Sequence, residues 1–305
     1  MELIYRNDHQ VCSGDAEGLH RYICESIKPI EAPYVYHYTS LDALFNGMLL
    51  EQPVNGMQIC LWASSVLCVN DTQEVRIAFD FVRDHIVKIE DTNDDVDVMT
   101  EMMAGYYVTS FSLLRDSLLM WRGYAKNATG ISICFDVNVL RQYAKDSLMK
   151  CIYLTPEMLD RIRSYIKDSK PVSCTFGQFA LVCFVLLIGL SKSKDKEKVA
   201  GRISAFLDFL MSLKNMDYID ENEVRLFVVE ENSNAKSRAR EQKEVVEYVE
   251  RFFPKEAIVE IMVGPNNVDK EKTAFLIKRY LDRIGMSHVK VTTSGLHYRG
   301  HVDKK

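Results

Sequence analysis

The sequence has no hydrophobic run long enough to cross a bilayer. Its most apolar stretch, residues 179–190, falls short of the roughly 20 residues that a membrane-spanning helix needs. We expect this stretch to form a buried helix, and an interfacial membrane contact is the alternative. The eight cysteines include no C-x-x-C pair and no secretory signal is recognisable, so we expect a cytoplasmic protein in a reducing compartment, with no membrane partner.

The sequence also lacks the short motifs of several large enzyme classes. It contains no G-x-G-x-x-G, no P-loop, no H-E-x-x-H, no spaced Cys/His set and no G-x-S-x-G. These absences argue against Rossmann dehydrogenases, P-loop ATPases, common zinc hydrolases and serine hydrolases. The net charge of −5 gives no general basic field, so any nucleic acid would be held by a local patch.

The composition is that of an ordinary folded chain, with 47% hydrophobic and 27% charged residues. Predicted strands and helices mix without a regular βαβ rhythm, which favours an α+β fold. We expect a single domain over residues 1–305, with a core at about 30–155 and 217–298 and a helical insertion at about 156–216.

Hydrophobic periodicity and capping residues give the expected elements. Predicted strands cover residues 34–37, 58–63, 106–111, 131–135, 224–229, 258–263 and 289–292. Predicted helices cover 15–28, a segment after Ser40, a segment after Asp71, 117–124, 244–253 and a segment from Asp269 through Ile284.

Polar residues at the ends of predicted strands form the candidate site. His37 ends the first strand, where a histidine is more often structural than catalytic. Arg122 and Tyr124, beside Gly123, are predicted to face a cleft, whereas Trp121 is predicted to be core.

Two acidic groups complete the candidate set. Alternation along the strand that begins near residue 221 places Glu221, Glu223 and Arg225 on one face, and a solvated Glu–Arg pair is the alternative. The second group is either a helix-capping device or part of a binding pocket, and comprises Asn70, Asp71 and Glu74.

The ordered motifs YHYTS, LWAS, NDTQE, SFS, DS-x-x-MWRGY, GISICFD, ENEVRL and VGPNN resemble the bacterial domain-of-unknown-function family 2971 over about residues 34–298. The chain departs from the family pattern at Val224, where Trp is usual, and at Thr72, where Pro is favoured. The family name itself implies no activity.

A strand-end His, a helix bearing Tyr and a late strand bearing Glu occur in an order similar to that of the ADP-ribosyltransferase superfamily. The His-Tyr-Thr-Ser turn looks like that of the DNA-modifying members. This similarity implies a split-sheet core and an NAD-dependent transferase that modifies a nucleic acid or protein as a toxin-like antiviral effector. The partners implied are NAD as substrate, a macromolecular acceptor, and an antitoxin or regulatory protein.

The same similarity implies a role for each candidate residue. Glu223 would grip a ribose hydroxyl and face the positive charge that develops as nicotinamide leaves, and Glu221 would orient or deprotonate the acceptor. His37 would bind the adenosine-side ribose, and Tyr124 would stack on nicotinamide. Further NAD contacts are expected from Tyr38, Thr39, Ser40 and Arg122, and acceptor contacts from Asn70, Asp71 and Glu74.

Two other functions fit the same residues. One is a non-catalytic nucleotide-sensing or partner-binding module, and the other is a metal-dependent nuclease using Asp71, Glu74, Glu221 and Glu223. Under the transferase hypothesis no metal is required. We further expect Glu223→Gln to leave stability almost unchanged, because a strand-end carboxylate is not a core residue.

Overall fold

The computed structural model describes residues 6–7, 9–10, 12–14, 16–68, 105–144, 148–169, 208–230, 234–240 and 244–298. The predicted helix after Asp71 and the apolar stretch 179–190 lie outside these residues. The chain divides into two compact units. The first comprises Met1–Lys28, Val66–Tyr106 and Cys151–Tyr218, and the second comprises Pro29–Ser65, Tyr107–Lys150 and Ile219–Lys305.

The described part of the first unit combines helices with short strand pairs. Its helices are Ala16–Ser26 and Pro156–Ser164. Its strand pairs are Arg6–Asn7 with His9–Gln10, Cys12–Gly14 with Ile166–Ser169, and Ile152–Tyr153 with Leu213–Lys214. Residues 208–212 are also helical, so the predicted helical insertion contains strands as well as helical segments.

One eleven-stranded, largely antiparallel sheet dominates the second unit. The strands are β1 Tyr34–Thr39, β2 Leu49–Val54, β3 Met57–Ser65, β4 Tyr106–Ser112, β5 Ile131–Asp136, β6 Leu148–Lys150, β7 Glu223–Val229, β8 Lys236–Arg240, β9 Glu244–Phe253, β10 Ile258–Val263 and β11 Lys290–Thr293. Their order is β8-β9-β3-β4-β1-β5-β10-β11, with β7 paired to β4 and β6, and β2 paired to β3. Among the registers described for this sheet, only the β10–β11 pairing is parallel.

Four α-helices accompany the described part of this sheet. They are α1 Leu41–Ala43, α2 Leu118–Tyr124, α3 Val137–Ala144 and α4 Lys270–Arg283. Ser40 caps α1 by accepting from the amide of Ala43, and a π-helical turn, Leu44–Met48, follows. Asp269 caps α4 through the amide of Lys272, which confirms the predicted start of this helix.

The core lies between the sheet and these helices. Its fully buried side chains include Val35 of β1, Phe135 of β5, Val224 of β7, Ile261 of β10 and Leu281 of α4. The predicted α+β class is confirmed at the level of a mixed structure with a largely antiparallel sheet. The predicted core segments, about 30–155 and 217–298, contain all eleven strands.

One expected element has the wrong type. Residues 244–253 were predicted as a helix but form β9, which pairs with β3 from Tyr248 opposite Ser64 to Phe253 opposite Ile59. The segment is rich in valine, tyrosine and phenylalanine, which pack well on a pleated surface. The charged residues of this segment are spaced as in a helix, but its pairing with β3 determines that it forms a strand.

Candidate functional site

Tyr124 and Glu221 are brought into direct contact by the fold. The hydroxyl of Tyr124 donates to Glu221 Oε1 across 2.6 Å, although the two residues are 97 positions apart in the chain. Tyr124 ends α2 and is half-buried, and Glu221 ends the short 3-10 turn Met216–Glu221 and is buried. A tyrosine and a carboxylate from distant segments therefore share one site.

The backbone around Glu221 is fixed by the end of β4. Ser112 Oγ donates to the carbonyl of Glu221 at 2.6 Å, and the amide of Leu113 donates to the carbonyl of Asn222 at 3.0 Å. Asn222 has a left-handed backbone with φ of 46°, a conformation that asparagine tolerates better than most residues. The chain thus turns sharply between Glu221 and β7.

Glu223 forms a buried ion pair with Arg225. Arg225 Nε donates to Glu223 Oε1 at 3.0 Å, and Nη2 donates to Oε2 at 3.1 Å, so the pair is bidentate. Both side chains are almost wholly removed from solvent, with 5% of each residue exposed. The expectation that Glu223 is outside the core is therefore wrong.

Asn222 breaks the alternation between the two carboxylates, Glu221 and Glu223. Glu223 and Arg225 share a face of β7, as the two-residue period predicts, but Glu221 lies before the strand and contacts Tyr124. The predicted common face of all three residues is wrong.

His37 lies in β1 and is half-buried. Its Nδ1 is 2.9 Å from the carbonyl oxygen of Ser110. Since a carbonyl oxygen only accepts, Nδ1 carries the proton, and the neutral ring presents Nε2 as an acceptor. The ring also meets Phe111 edge-on, with 5.8 Å between centroids. Burial lowers the pKa of His37 below its ordinary value of 6.5, against the opposing effect of the bond to Ser110.

The lowered pKa of His37 predicts a loss of stability at acidic pH. The unfolded chain binds a proton at this residue near pH 6.5, whereas the folded chain resists it, so the stabilisation is complete above that pH and falls as the pH drops toward the folded pKa. We expect His37→Gln, whose amide can still donate to Ser110, to weaken this dependence. Urea unfolding between pH about 7.5 and 5 measures it, and equal pH slopes for both proteins would contradict it.

Tyr38 is placed in the core rather than at an open cleft. It is 5% exposed, and its ring packs edge-on against Trp121 with 4.9 Å between centroids. Its hydroxyl donates to the carbonyl of Leu114 at 2.7 Å and accepts from the amide of Ser117 at 3.2 Å. Burial raises the pKa of Tyr38 to about 12. The side chain therefore fixes the loop that joins β4 to α2.

The same loop is anchored by two charged residues. Asp116 Oδ1 accepts from Trp121 Nε1 at 2.6 Å and from Ser294 Oγ at 2.7 Å. Arg115 donates to both carboxylate oxygens of Glu260, at 3.1 and 2.7 Å. Because this loop leads directly into α2, these contacts set the position of Tyr124.

The remaining predicted residues are placed as follows. Thr39 ends β1, and Ser40 is the cap of α1, where its hydroxyl oxygen accepts from the amide of Ala43. Arg122 is exposed, with its guanidinium carbon 5.9 Å from the ring centroid of Tyr298. Asn70, Asp71 and Glu74 lie outside the described residues.

A left-handed segment follows Tyr124 directly. Lys126, Asn127 and Ala128 all have positive φ, between 49° and 68°. The VGPNN motif holds this segment, since the amide of Asn266 donates to the carbonyl of Ala128 at 2.9 Å. Gly130 is required at its end, because a Cβ there would lie 2.2 Å from the carbonyl oxygen of Thr39. Strained backbone of this kind concentrates at functional sites.

Lys126→Gly is expected to stabilise the protein by about 1 kcal/mol, because an exposed lysine with positive φ pays a steric cost that glycine avoids. Urea unfolding measures the change. Lys272→Gly, the same substitution in the right-handed backbone of α4, serves as the control and should lower stability by up to about 1 kcal/mol. If Lys126→Gly also lowers the stability, the backbone at residue 126 carries no steric cost that glycine relieves.

The described residues contain no group of three or more His, Cys, Asp or Glu side chains that could hold a metal ion. Within the same residues, no helix is long and apolar enough to cross a membrane. Two of the four ligands of the nuclease alternative, Asp71 and Glu74, lie outside these residues.

Several residues that shape the site were not singled out from the sequence. Ser112 and Asp116 occur in the SFS and DS-x-x-MWRGY motifs, so the motif series contained them. Their roles are contacts to backbone and side chains more than 100 residues away, namely Glu221 and Ser294. Sequence spacing gives no sign of such contacts.

The fold and site define a mixed α/β protein with a tyrosine–carboxylate pair held at the end of a largely antiparallel sheet. The model of a family described as Protein of unknown function (DUF2971) matches residues 120–226. The matched segment includes Tyr124, Glu221, Glu223 and Arg225, and it supports the family resemblance. No curated protein and no solved structure matches the chain.

Proposed function

We propose that the chain is an NAD-dependent ADP-ribosyltransferase with an ADP-ribosyltransferase-like core, acting on a nucleic acid or protein. The observation that carries the proposal is the 2.6 Å bond between Tyr124 and Glu221. Tyr124 is the residue expected to stack on nicotinamide, and Glu221 is one of the two carboxylates expected to take part in the reaction. The associated biological role is a toxin-like antiviral effector restrained by an antitoxin or regulatory protein.

The reaction requires a carboxylate beside the ribose. The bond between C1′ and the nicotinamide nitrogen breaks, its electron pair leaves with nicotinamide, and C1′ becomes cationic. An oxygen or nitrogen of the acceptor then bonds to C1′, and its proton passes to a base. We assign two roles to Glu221, the negative charge that faces C1′ and the base that takes the proton, because it contacts Tyr124, the residue expected to stack on nicotinamide.

The other candidate residues bind and orient NAD in this proposal. Tyr124 is half-buried with its hydroxyl fixed by Glu221, so its ring is held in one orientation for stacking. His37 offers Nε2 to a ribose hydroxyl, since Ser110 fixes the proton on Nδ1. Arg122 is exposed and can meet pyrophosphate oxygens.

The test is incubation of the pure protein with labelled NAD and with RNA, DNA or cell lysate as acceptor. Release of nicotinamide together with label on a macromolecule is the expected result. If nicotinamide is not released and no label is transferred, the proposal is rejected.

A non-catalytic nucleotide sensor is the second candidate, favoured by the closed Glu223–Arg225 pair. A sensor would bind NAD without releasing nicotinamide, in the native protein as well as in Glu221→Gln. Calorimetry combined with the nicotinamide assay separates the two functions.

A further inference from the structure

The outward face of α4 carries a stripe of cationic and apolar side chains. Phe275 is 60% exposed and Leu276 is 50% exposed. At 100° per residue, the exposed residues of this stripe lie along one side of the helix. We call the set Lys272, Phe275, Leu276, Arg279 and Arg283 the α4 stripe.

The cations of the α4 stripe have no carboxylate partner within the part of the chain that the structure describes. The nearby acids are already engaged. Asp269 caps the helix, Glu271 accepts from Thr293 Oγ1 at 3.2 Å, and Asp282 accepts from Lys278 Nζ at 2.7 Å. Residues 269–283 carry five cations and three carboxylates, so this surface is locally positive.

Planar groups alternate along the same surface. The guanidinium carbon of Arg279 lies 5.8 Å from the ring centroid of Phe275, and that of Arg283 lies 5.6 Å from the ring centroid of Tyr280. Phe45, which is 37% exposed, meets Tyr280 edge-on at 5.1 Å. Rings and guanidinium planes of this kind stack on unpaired bases.

We propose that the α4 stripe is a docking surface for single-stranded nucleic acid. Its cations would contact phosphates while Phe275 and the guanidinium planes stack on bases. The whole chain carries a net charge of −5, so a polyanion would be attracted only by a local patch of this type.

A lipid surface fits the stripe less well. An interfacial helix inserts a broad apolar face between lipid headgroups. The apolar face of α4, formed by Ala274, Ile277 and Leu281, packs instead against the core of the sheet. Only Phe275 and Leu276 remain on the stripe as exposed apolar residues, beside three cations.

This surface does not depend on the NAD reaction, and nucleic-acid binding can be measured without NAD. Where both proposals hold, a nucleic acid is the acceptor class. Binding without transfer would reject the transferase alone, and transfer to protein without oligonucleotide binding would reject the docking surface alone.

Fluorescence anisotropy with labelled mixed-sequence RNA and DNA strands of about 16 nucleotides tests the surface. For three phosphate contacts, log Kobs should fall with log salt with a slope of about −2, or roughly 15-fold in affinity between about 50 and 200 mM salt. Absence of binding at the lower salt concentration would overturn the proposal.

Single variants then place the binding on the α4 stripe. Arg279→Ala should reduce the salt slope by about 0.7, whereas Lys150→Ala, which removes an exposed cation from β6, should leave binding unchanged. Phe275→Ala should weaken binding about 10-fold with little change in slope, because it removes stacking rather than charge.

Three results would overturn the assignment of this surface. The first is an equal loss of oligonucleotide affinity in Arg279→Ala and Lys150→Ala. The second is full oligonucleotide affinity in both Arg279→Ala and Phe275→Ala. The third is binding to phosphatidylserine vesicles without binding to the oligonucleotide. All three variants change exposed side chains, so thermal unfolding should confirm that each remains folded.

Discussion

Glu221→Gln is expected to lower NAD turnover by about 10³-fold while NAD binding persists. The amide oxygen of glutamine can still accept from the hydroxyl of Tyr124, so the 2.6 Å contact that positions both side chains is retained. What is lost is the negative charge that would face C1′ and the base that would take the acceptor proton. Nicotinamide release and label transfer measure turnover, and calorimetry measures binding.

The matched control for Glu221→Gln is Glu247→Gln, which makes the same chemical change at an exposed position of β9. It should retain full activity. Urea unfolding of both variants should agree with the native protein to within about 1 kcal/mol. If Glu221→Gln turns over NAD at the native rate, the carboxylate has no role in the reaction and the assignment to Glu221 fails.

Most strands and helices of the second unit could be predicted from local pattern. The strand at residues 258–263 and the helix capped by Asp269 agree with the structure because their signals are local: apolar runs, a capping side chain and a terminal glycine. The helix predicted at 244–253 is wrong because its structure depends on β3, a partner that is distant in sequence. β6 was missed for the same reason, because its partner β7 is also distant in sequence. β2 and β8 were missed as well, although each pairs with the next strand along the chain, β3 and β9 respectively.

The candidate site was predicted in part. The spacing of Glu223 and Arg225 indicated one face of a strand, and the structure places them in contact. Their burial could not be read from the sequence, because two charged residues beside an apolar run also fit an exposed edge. The left-handed turn at Asn222, which separates Glu221 from the strand, likewise depends on Leu113 and Ser112 of another segment.

The sequence expectation for Glu223→Gln changes in light of this burial. A neutral amide at residue 223 would leave the guanidinium of Arg225 without its bidentate carboxylate in a site that is 5% exposed. We therefore expect a clear loss of stability, and loss of activity in that variant would not by itself identify a catalytic residue. Glu221→Gln is the more informative variant because its hydrogen bond survives.

Arg225→Met should cost about 3–5 kcal/mol of unfolding free energy, because it leaves the carboxylate of Glu223 buried without its guanidinium. Methionine keeps much of the length and apolar stem of arginine, so the change isolates the lost charge. Chemical unfolding in urea measures the loss.

The double variant Glu223→Leu/Arg225→Met provides the control for Arg225→Met. Removing both charges also removes the cost of desolvating them, so the double variant should recover most of the stability lost by the single one. A single variant that costs less than about 1 kcal/mol would contradict the assignment of Arg225 as the main support of the buried carboxylate.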